Sequence, residues 1–169
     1  KGAKNYHLFR VNLLNPAEEN WEKIIPERNY LLDSINIVAN KLVVIYVKDV
    51  QSKVEVLDLN GDFLYDIELP YQATAQFVHV LKEDTEGYFY FSSYVRPDSF
   101  YHYDVPNNKL TFKYSDPVKA DFSQIISEQI FFPSKDGTRI PMTLVHQKGL
   151  QLNGQNPVYP RVANVLKAD

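Results

Sequence analysis

The sequence has 169 residues, a formal net charge of −3 at pH 7 and no cysteine. Its length suits one ordinary domain or parts of two. The slightly acidic balance gives no basic surface for nucleic acid or an anionic membrane, and the lack of cysteine excludes disulfide scaffolds, thiolate zinc sites and cysteine catalysis. The longest purely apolar stretch, Leu42–Val47, is far shorter than the roughly 20 residues that span a bilayer, so no membrane segment is expected.

An internal repeat organises the first two thirds of the chain. Three similar strand-like runs end at Val11, Leu59 and Val105, and each leads through a turn into a second run. The runs 42–46 and 88–92 also lie 46 residues apart and precede the first set. The 12 Tyr and 10 Phe add to this pattern, because aromatic residues favour strands. Four strands every 46–48 residues predict the blades of a β-propeller.

The strands of two blades are predicted residue by residue. In the middle blade they are 34–39, 42–48, 53–59 and 63–69, and in the next they are 74–81, 87–94, 99–104 and 109–115. The run Leu42–Val47 fits an inner strand buried on both faces, whereas the alternating run Lys53–Asp58 fits a position nearer the rim. Asn60-Gly61 predicts a hairpin with a type I′ turn.

Residues 1–117 are therefore predicted to form a partial β-propeller, with blades at about 1–30, 31–71 and 72–117. Closed propellers typically have four to eight blades, and this length supplies about two and a half. We expect the chain to be part of a larger propeller, to pair with other chains, or to form an open stack with apolar sheet faces exposed. A β-sandwich is the alternative fold, but sandwiches do not usually repeat a four-stranded unit.

Residues 118–169 are predicted to form a different unit. The apolar runs 124–132 and 139–146 flank Asp136-Gly137, which predicts a β-hairpin followed by loop. The predicted fold class is thus all-β, with about two and a half four-stranded propeller blades followed by a hairpin.

The hairpin carries the most specific sequence motif. The stretch Phe132-Pro-Ser-Lys-Asp-Gly-Thr-Arg-Ile-Pro-Met142, with His146–Gly149 and Gly154–Pro157, resembles the prolyl oligopeptidase family. In that family this segment lies where the chain leaves a seven-bladed propeller and re-enters a catalytic α/β-hydrolase domain. The segments Ala3–Tyr6 with Asn15–Trp21, and Tyr94–Asp98 with Tyr101–Asp104, also resemble blades of the family, so the resemblance covers about residues 3–157.

The last twelve residues depart from the family pattern. Family members place a strand end of the form Tyr-Gly-Tyr-Gly-Gly-Phe soon after the equivalent of Asn156-Pro157, and one of its tyrosines helps to form the oxyanion hole. In an ungapped alignment that tyrosine falls at Ala163. The catalytic unit is therefore expected to be truncated or divergent after residue 157.

The resemblance implies a parent serine endopeptidase that cleaves short peptides after proline through a Ser–His–Asp triad beneath a gating propeller. None of the nine serines lies in a Gly-x-Ser-x-Gly motif. We therefore predict no catalytic, cofactor-binding or metal-binding residue in this chain, which alone should be inactive and self-associate. Its compartment is left open between cytoplasm and periplasm. The alternatives are a non-catalytic propeller module that binds peptide or protein and, less favoured, a related oligopeptidase with basic-residue specificity.

Several conspicuous residues are predicted to be structural. The four histidines are expected to be surface or core residues rather than metal ligands, and the aromatic run Tyr88–Phe91 to pack within a sheet. Asp58–Asp62 is expected to be a hairpin turn rather than a calcium loop, and Glu83–Glu86 a solvated loop. Arg96–Asp98 fits a turn between strands, with lining of the propeller tunnel as the alternative. The histidines are His7, His79, His102 and His146.

Overall fold

The computed structural model describes residues 2–78, 81 and 83–160, which form two compact units divided after Ala120. Over the described residues the strands are β1 (Leu8–Arg10), β2 (Glu22–Ile25), β3 (Leu31–Val38), β4 (Lys41–Lys48), β5 (Gln51–Asp58), β6 (Phe63–Ile67), β7 (Thr74–Val78), β8 (Glu86–Ser92), β9 (Ser99–Asp104), β10 (Lys109–Ser115), β11 (Ile125–Pro133) and β12 (Arg139–Gln147). A short 3₁₀ helix covers Glu18–Asn20. No helix of this described part is long and apolar enough to cross a membrane.

The first unit contains three antiparallel sheets. The first sheet pairs β1 with β2, the middle sheet has the order β3-β4-β5-β6, and the last sheet has the order β10-β9-β8-β7. Both four-stranded sheets are simple meanders, as propeller blades are. The predicted all-β class and four-stranded repeat are confirmed. The predicted domain boundary after residue 117 and the blade limits stay predictions.

The middle sheet is buried on both faces. Leu42, Val44 and Tyr46 of β4 pack with the first sheet in one core, whereas Val43 and Ile45 pack with the last sheet in the other. All five side chains are at most 3% exposed. Successive side chains of a strand point to opposite faces, so an uninterrupted apolar run is what a strand between two cores requires. The predicted inner strand is confirmed.

Two hairpins close with turns that the sequence did not suggest. Ala39-Asn40 joins β3 to β4, and Asp49-Val50 joins β4 to β5. All four residues have positive φ, from 49° to 59°, which is the backbone of a type I′ turn. Neither pair contains glycine, so these turns are imposed by the pairing of the strands around them.

The hairpin at Asn60-Gly61 is present, but its predicted type I′ turn is wrong. Gly61 has φ +91°, whereas Asn60 is not in the left-handed region. The Asp58 carboxylate accepts hydrogen bonds from the backbone amides of Asn60 and Asp62, at 2.8 and 2.9 Å. These bonds stabilise a longer loop in which only one residue needs positive φ.

The repeat is offset by one residue between neighbouring strands. Val54 pairs with Ile45 in the middle sheet, and its equivalent 46 residues later, Phe100, pairs with Tyr90. Ile45 and Tyr90 are therefore equivalent although they lie 45 residues apart. The predicted 46-residue match between the runs 42–46 and 88–92 is thus wrong by one position, and a shift of one residue reverses every side chain on a strand.

The second unit is a two-stranded hairpin. Its nine residue pairs run from Ile125 opposite Gln147 to Pro133 opposite Arg139. The loop between the strands closes when Ser134 N–H donates to the Thr138 carbonyl at 2.8 Å. None of its described residues, 121–160, is buried, and a lone hairpin is marginally stable in water. Position 163, where the family tyrosine is missing, lies outside the described residues.

Candidate functional site

The three described histidines lie far apart in the fold, His7 just before β1, His102 in β9 and His146 in β12. His7 packs edge-on against Phe9 just before β1, with ring centroids 4.6 Å apart. His102 Nε2 lies 2.7 Å from a carboxylate oxygen of Glu86, and His146 belongs to the separate hairpin. Within residues 2–78, 81 and 83–160 there is no group of three His, Asp or Glu residues that could hold a metal ion. His79 lies outside the described residues.

Two other motifs are placed where the sequence predicted them. Asp58–Asp62 forms the turn between β5 and β6, as described above. In β8, Phe89 and Phe91 are fully buried in the core between the middle and last sheets. Their neighbours Tyr88 and Tyr90 point to the other face. The aromatic run therefore packs within the sheet on one face, and only its other face is available for a partner.

A buried carboxylate is the most organised polar feature of the first unit. Glu55 of β5 is 2% exposed, and its two oxygens accept hydrogen bonds from Arg28 Nη1 at 2.7 Å and from Lys53 Nζ at 2.6 Å. Lys53 also lies 3.1 Å from the Asp66 carboxylate. Both oxygens of the buried acid are thus paired, as a buried charge requires. The alternating sequence of β5 predicts a position nearer the rim, but β5 lies between β4 and β6 and Val54–Leu57 are all buried, so the sequence did not predict the burial of Glu55.

Aromatic rings surround the Arg28 guanidinium. Its carbon lies 5.0 Å from the Tyr46 ring centroid and 5.8 Å from that of Tyr30, whose hydroxyl accepts a hydrogen bond from Nη1 at 2.9 Å. Partial burial lowers the pKa of Arg28, but hydrogen bonds to Tyr30 and Glu55 outweigh it, so the pKa is raised overall. The guanidinium therefore stays charged, and it ties the segment that follows β2 to the middle sheet.

The loop between β8 and β9 forms a second polar cluster. Tyr90 donates its hydroxyl hydrogen to the Asp98 carboxylate, and this bond is the main cause of the raised pKa of Tyr90. The Arg96 guanidinium lies 5.2 Å from the Tyr71 ring centroid, and the amide of Asp116 donates to the Asp98 carbonyl at 2.9 Å. Arg96–Asp98 thus lies in the connection between β8 and β9, at the end of the last sheet where the chain leaves β10.

One aromatic sheet face is left largely uncovered. It lies on the last sheet, on the side away from the middle sheet, and we call it the outward face. Tyr88, Phe100 and Tyr114 on it are 48%, 40% and 50% exposed. Ring contacts cross the strands between Tyr90 and Phe100, at 5.2 Å, and between Phe100 and Tyr114, at 6.4 Å. The aromatic rings of the outward face, with histidine included, are those of Tyr88, Tyr90, Phe100, His102 and Tyr114, and Gln76 and Val78 of β7 share this face.

Of the features described, the exposed outward face is the one that can contact another sheet. The buried carboxylate is occupied by its two cations, and the outward face offers flat aromatic area of the kind that another sheet covers. The first sheet is also partly uncovered: Trp21, directly before β2, is 41% exposed, and its ring centroid lies 5.7 Å from that of Phe9 in β1. Blade faces in a propeller are covered by neighbouring blades, so both ends of the stack match a propeller that continues beyond this chain.

Comparison with known proteins gives the same architecture. The family model described as "Prolyl oligopeptidase, N-terminal beta-propeller domain" matches residues 1–115. The prolyl endopeptidase of Elizabethkingia meningoseptica is 32% identical over 157 residues, which cover 93% of this chain and 22% of that protein. The prolyl endopeptidase of Dictyostelium discoideum is 34% identical over 144 residues, 82% of this chain and 19% of that protein.

Solved structures extend the similarity to the fold. A structure from a study of inter-domain dynamics in two prolyl endopeptidases superposes with a TM-score of 0.82 and 33% identity, over 89% of this chain and 22% of that one. Prolyl oligopeptidase B from Galerina marginata gives a TM-score of 0.76 at 22% identity, over 88% and 21% of the two chains, and shows the shared fold. The chain spans about a fifth of the length of these relatives. The chain belongs to the prolyl oligopeptidase family, in which residues 1–115 are a part of the N-terminal β-propeller domain.

Proposed function

We propose that this chain is part of the substrate-gating propeller of a serine endopeptidase that cleaves short peptides after proline. The observation that carries the proposal is the order of its parts. The propeller match ends at residue 115, and the hairpin that follows contains the Phe132–Met142 motif. The propeller is proposed to act by size exclusion, admitting short proline-containing peptides to a triad supplied by residues outside this sequence. No nucleic acid, membrane or cofactor takes part.

The experiment compares the chain with the whole protein encoded by the same gene. Hydrolysis of a fluorogenic amide of Gly-Pro is measured for both, with the Gly-Ala amide as the control for proline specificity. We expect cleavage of the proline substrate by the whole protein and none by the isolated chain. Cleavage by the isolated chain would place a nucleophile within these 169 residues and contradict the proposal.

The proposed size exclusion by the propeller is tested separately, by comparing a small and a large substrate. The whole protein is given the same Gly-Pro cleavage site within a short peptide and within a folded protein domain. We expect the short peptide to be cleaved and the folded domain to be spared, because a propeller lid admits only narrow substrates. Equal cleavage of both would contradict a gating role while leaving the peptidase assignment intact.

A non-catalytic module that binds peptide or protein is the second candidate. It is supported by the loop between β8 and β9, where Tyr94 is 69% exposed and Arg96 is exposed on the face of the Tyr71 ring. Tyrosine and arginine are the residues that most often carry binding energy at interfaces. Proline peptides that bind the isolated chain, together with a whole protein that cleaves none of them, would favour this candidate.

The isolated chain is also proposed to self-associate. About two and a half blades leave sheet faces uncovered at both ends of the stack, and the exposed aromatic residues described above lie on those faces. Large uncovered apolar faces mark sites of association. This proposal concerns the chain alone, since further blades cover such faces in a complete propeller.

A further inference from the structure

We infer that the side chain of Asn153 is a site of spontaneous deamidation, and that its counterpart Asn60 is protected by the loop in which it lies. Each of these asparagines is preceded by leucine and followed by glycine. Glycine has no side chain to shield its backbone nitrogen, so this nitrogen can attack the side-chain amide of the preceding asparagine. Since the two Leu-Asn-Gly tripeptides are identical, any difference between the two sites must come from the structure around them.

The reaction needs no reagent other than water. The backbone nitrogen of Gly154 loses its proton and attacks Cγ of Asn153, so that a bond forms between these two atoms and a succinimide ring closes. The bond between Cγ and Nδ2 breaks, and the side-chain nitrogen takes up a proton and leaves as ammonia. Water then opens the ring at either of its two carbonyls. The product is aspartate or isoaspartate, in which the main chain runs through the former side chain.

The loop after β12 leaves the attacking nitrogen free. Within residues 2–78, 81 and 83–160, nothing accepts a hydrogen bond from the Gly154 N–H. Apart from the chain neighbours of Gly154, no atom lies within 4 Å of the position that a Cβ would take there. The Asn153 side chain can therefore approach the nitrogen without displacing another group.

A hydrogen bond activates the amide of Asn153. Gln155 N–H donates to Asn153 Oδ1 at 3.0 Å, a contact that asparagine often makes with the backbone in turns. Negative charge develops on this oxygen when the Gly154 nitrogen attacks Cγ, so a donor that already faces the oxygen stabilises the transition state. The loop is also closed on itself, because Asn156 Nδ2 donates to the Gln151 carbonyl at 2.7 Å.

The loop between β5 and β6 holds the corresponding nitrogen of Gly61. Its N–H donates to the Asp58 carbonyl at 3.1 Å, and the Asp58 carboxylate accepts the amides of Asn60 and Asp62. Gly61 is also packed against the first sheet, where the Ile24 carbonyl oxygen would lie 2.0 Å from a Cβ. Attack on Asn60 therefore requires this loop to open first.

The pair Asp136-Gly137 in the second unit is protected in the same way. Gly137 N–H donates to the Ser134 carbonyl at 2.9 Å. The Asp136 carboxylate accepts the Thr138 N–H at 2.9 Å, and this bond is the main cause of its lowered pKa. Among the described residues, the pairs of asparagine or aspartate with glycine are at 60–61, 136–137 and 153–154. The glycine amide is free only in the last of these three.

Deamidation changes both the charge and the backbone of the loop after β12. A neutral amide becomes a carboxylate, which adds one negative charge to a formal net charge of −3. In isoaspartate the main chain is longer by one methylene between β12 and Asn156. The two products therefore differ from the original chain in mass and charge, and from each other in backbone connectivity.

The experiment measures deamidation at each site of the chain by peptide mapping with mass spectrometry. The chain is incubated at mildly alkaline pH, folded in one sample and in urea in another. In the folded chain Asn60 should react at least about tenfold more slowly than Asn153, because its loop must open first. In urea the two rates should agree within about twofold, since the tripeptides are identical and the loop is lost. Asn153 itself should react at least as fast in the folded chain as in urea.

The variant Asp58→Ala tests the protection of Asn60. Without this carboxylate the loop loses two hydrogen bonds, so the rate at Asn60 should rise at least about threefold while the rate at Asn153 is unchanged. The matched control Asp121→Ala removes a carboxylate that accepts the Ser123 N–H at 2.8 Å, and it should alter neither rate. Circular dichroism checks that each variant keeps its strands. If Asp58→Ala does not fold, the unaltered chain, folded and in urea, still decides the inference.

Three results would overturn the inference. Equal rates at Asn60 and Asn153 in the folded chain would show that the two loops do not discriminate. A difference of the same size in urea would assign it to sequence instead of structure. Slower reaction of Asn153 in the folded chain than in urea would show that the nitrogen of Gly154 is not free. None of these bears on the proposed peptidase function, tested by hydrolysis, or on the proposed self-association, which a monodisperse monomer in light scattering at high concentration would contradict.

Discussion

The carboxylate of Glu55 lies 2.7 Å from the guanidinium of Arg28, and the two residues belong to different parts of the propeller fragment. Arg28 lies between β2 of the first sheet and β3 of the middle sheet, whereas Glu55 is inside the middle sheet. Asn5, ahead of β1, donates its side-chain amide to the Arg28 carbonyl at 2.8 Å. One ion pair and one amide thus connect three segments that are distant in sequence.

Loss of the Glu55 charge should destabilise the first unit. Glu55→Gln leaves Arg28 and Lys53 without their shared carboxylate, and breaking a buried pair costs about 3–5 kcal/mol. Since Arg28 and Lys53 are 27% and 38% exposed, water offsets part of this, and we expect a loss of about 2 kcal/mol. Chemical denaturation followed by circular dichroism measures it.

The matched control is an exposed ion pair of the same length. Arg10 and Glu22 also lie 2.7 Å apart, but their side chains are 48% and 59% exposed. Glu22→Gln should therefore change stability by less than about 1 kcal/mol. Combining Glu55→Gln with Arg28→Met should cost less than the sum of the two single variants, because the second change removes the unpaired charge. Equal losses for Glu55→Gln and Glu22→Gln would contradict the assigned role of Glu55.

The repeat and most strands could be predicted because they depend on local pattern. The continuous apolar run of β4 and the hairpin around Asp136-Gly137 both follow from rules of periodicity and turn chemistry. The burial of Glu55 could not be predicted, because its cation at Arg28 lies 27 residues away and is brought to it by sheet packing. A charged residue in an alternating strand otherwise indicates a solvated face.

The register between neighbouring strands and the type of turn at Asn60-Gly61 could not be predicted from the sequence either. Asn60-Gly61 is the commonest signal for a type I′ turn, yet the Asp58 side chain holds a longer loop there. The repeat offset changes from 46 to 45 residues between neighbouring strands, as the pairing of Ile45 and Tyr90 shows. Only cross-strand partners define such a shift, since the apolar composition of the runs is the same in either register.

Removal of the Tyr46 hydroxyl should be tolerated at neutral pH, and it should change how the free energy of unfolding depends on pH above pH 10. The hydroxyl is buried and has no hydrogen-bond partner among the described residues, so Tyr46→Phe should be neutral or stabilising by up to about 1 kcal/mol at neutral pH. Burial raises the pKa of Tyr46 to about 12, partly opposed by the charge of Arg28. In the unfolded chain the phenol ionises near pH 10. The stability that this raised pKa contributes at high pH is therefore complete below pH 10 and is lost as the pH rises towards 12.

The raised pKa of Tyr46 can be tested by measuring stability at alkaline pH. The free energy of unfolding of the unaltered chain should fall between about pH 10 and 12, and the fall should be shallower in Tyr46→Phe by about one proton. Tyr94→Phe serves as the control, since Tyr94 is 69% exposed and its loss should leave the profile unchanged. Identical profiles for all three chains would show that Tyr46 ionises as freely in the folded state as in the unfolded state.

Replacing Gly61 by any residue with a side chain should destabilise the first unit. A Cβ at this position would lie 2.0 Å from the Ile24 carbonyl oxygen, in the first sheet, and its φ of +91° disfavours other residues. Gly61→Ala should therefore cost about 3 kcal/mol or more, because the backbone of the first sheet must move as well. Fluorescence of Trp21, the single tryptophan, reports on that sheet during unfolding. Gly137→Ala is the control, since Gly137 has φ +83° with open space around it and lies in the second unit, so the unfolding transition that Trp21 reports should not change. An unchanged transition in Gly61→Ala as well would contradict the close approach of Gly61 to the first sheet.

Alanine substitutions at Tyr88 and Phe89, which are neighbours on β8, should have very different effects on stability. Phe89 is fully buried between the middle and last sheets and stacks on Phe91 with ring centroids 5.5 Å apart, so Phe89→Ala should cost about 3–5 kcal/mol. Tyr88, one residue earlier, points to the outward face and is 48% exposed. Tyr88→Ala should cost about 1 kcal/mol or less when measured at low micromolar concentration, where the proposed self-association is weakest. A constant 46-residue offset would instead align Tyr88 with the buried Leu42 and make both variants severe. Thermal unfolding of the two variants therefore tests the register of the last sheet, because only a one-residue shift explains one severe and one mild effect.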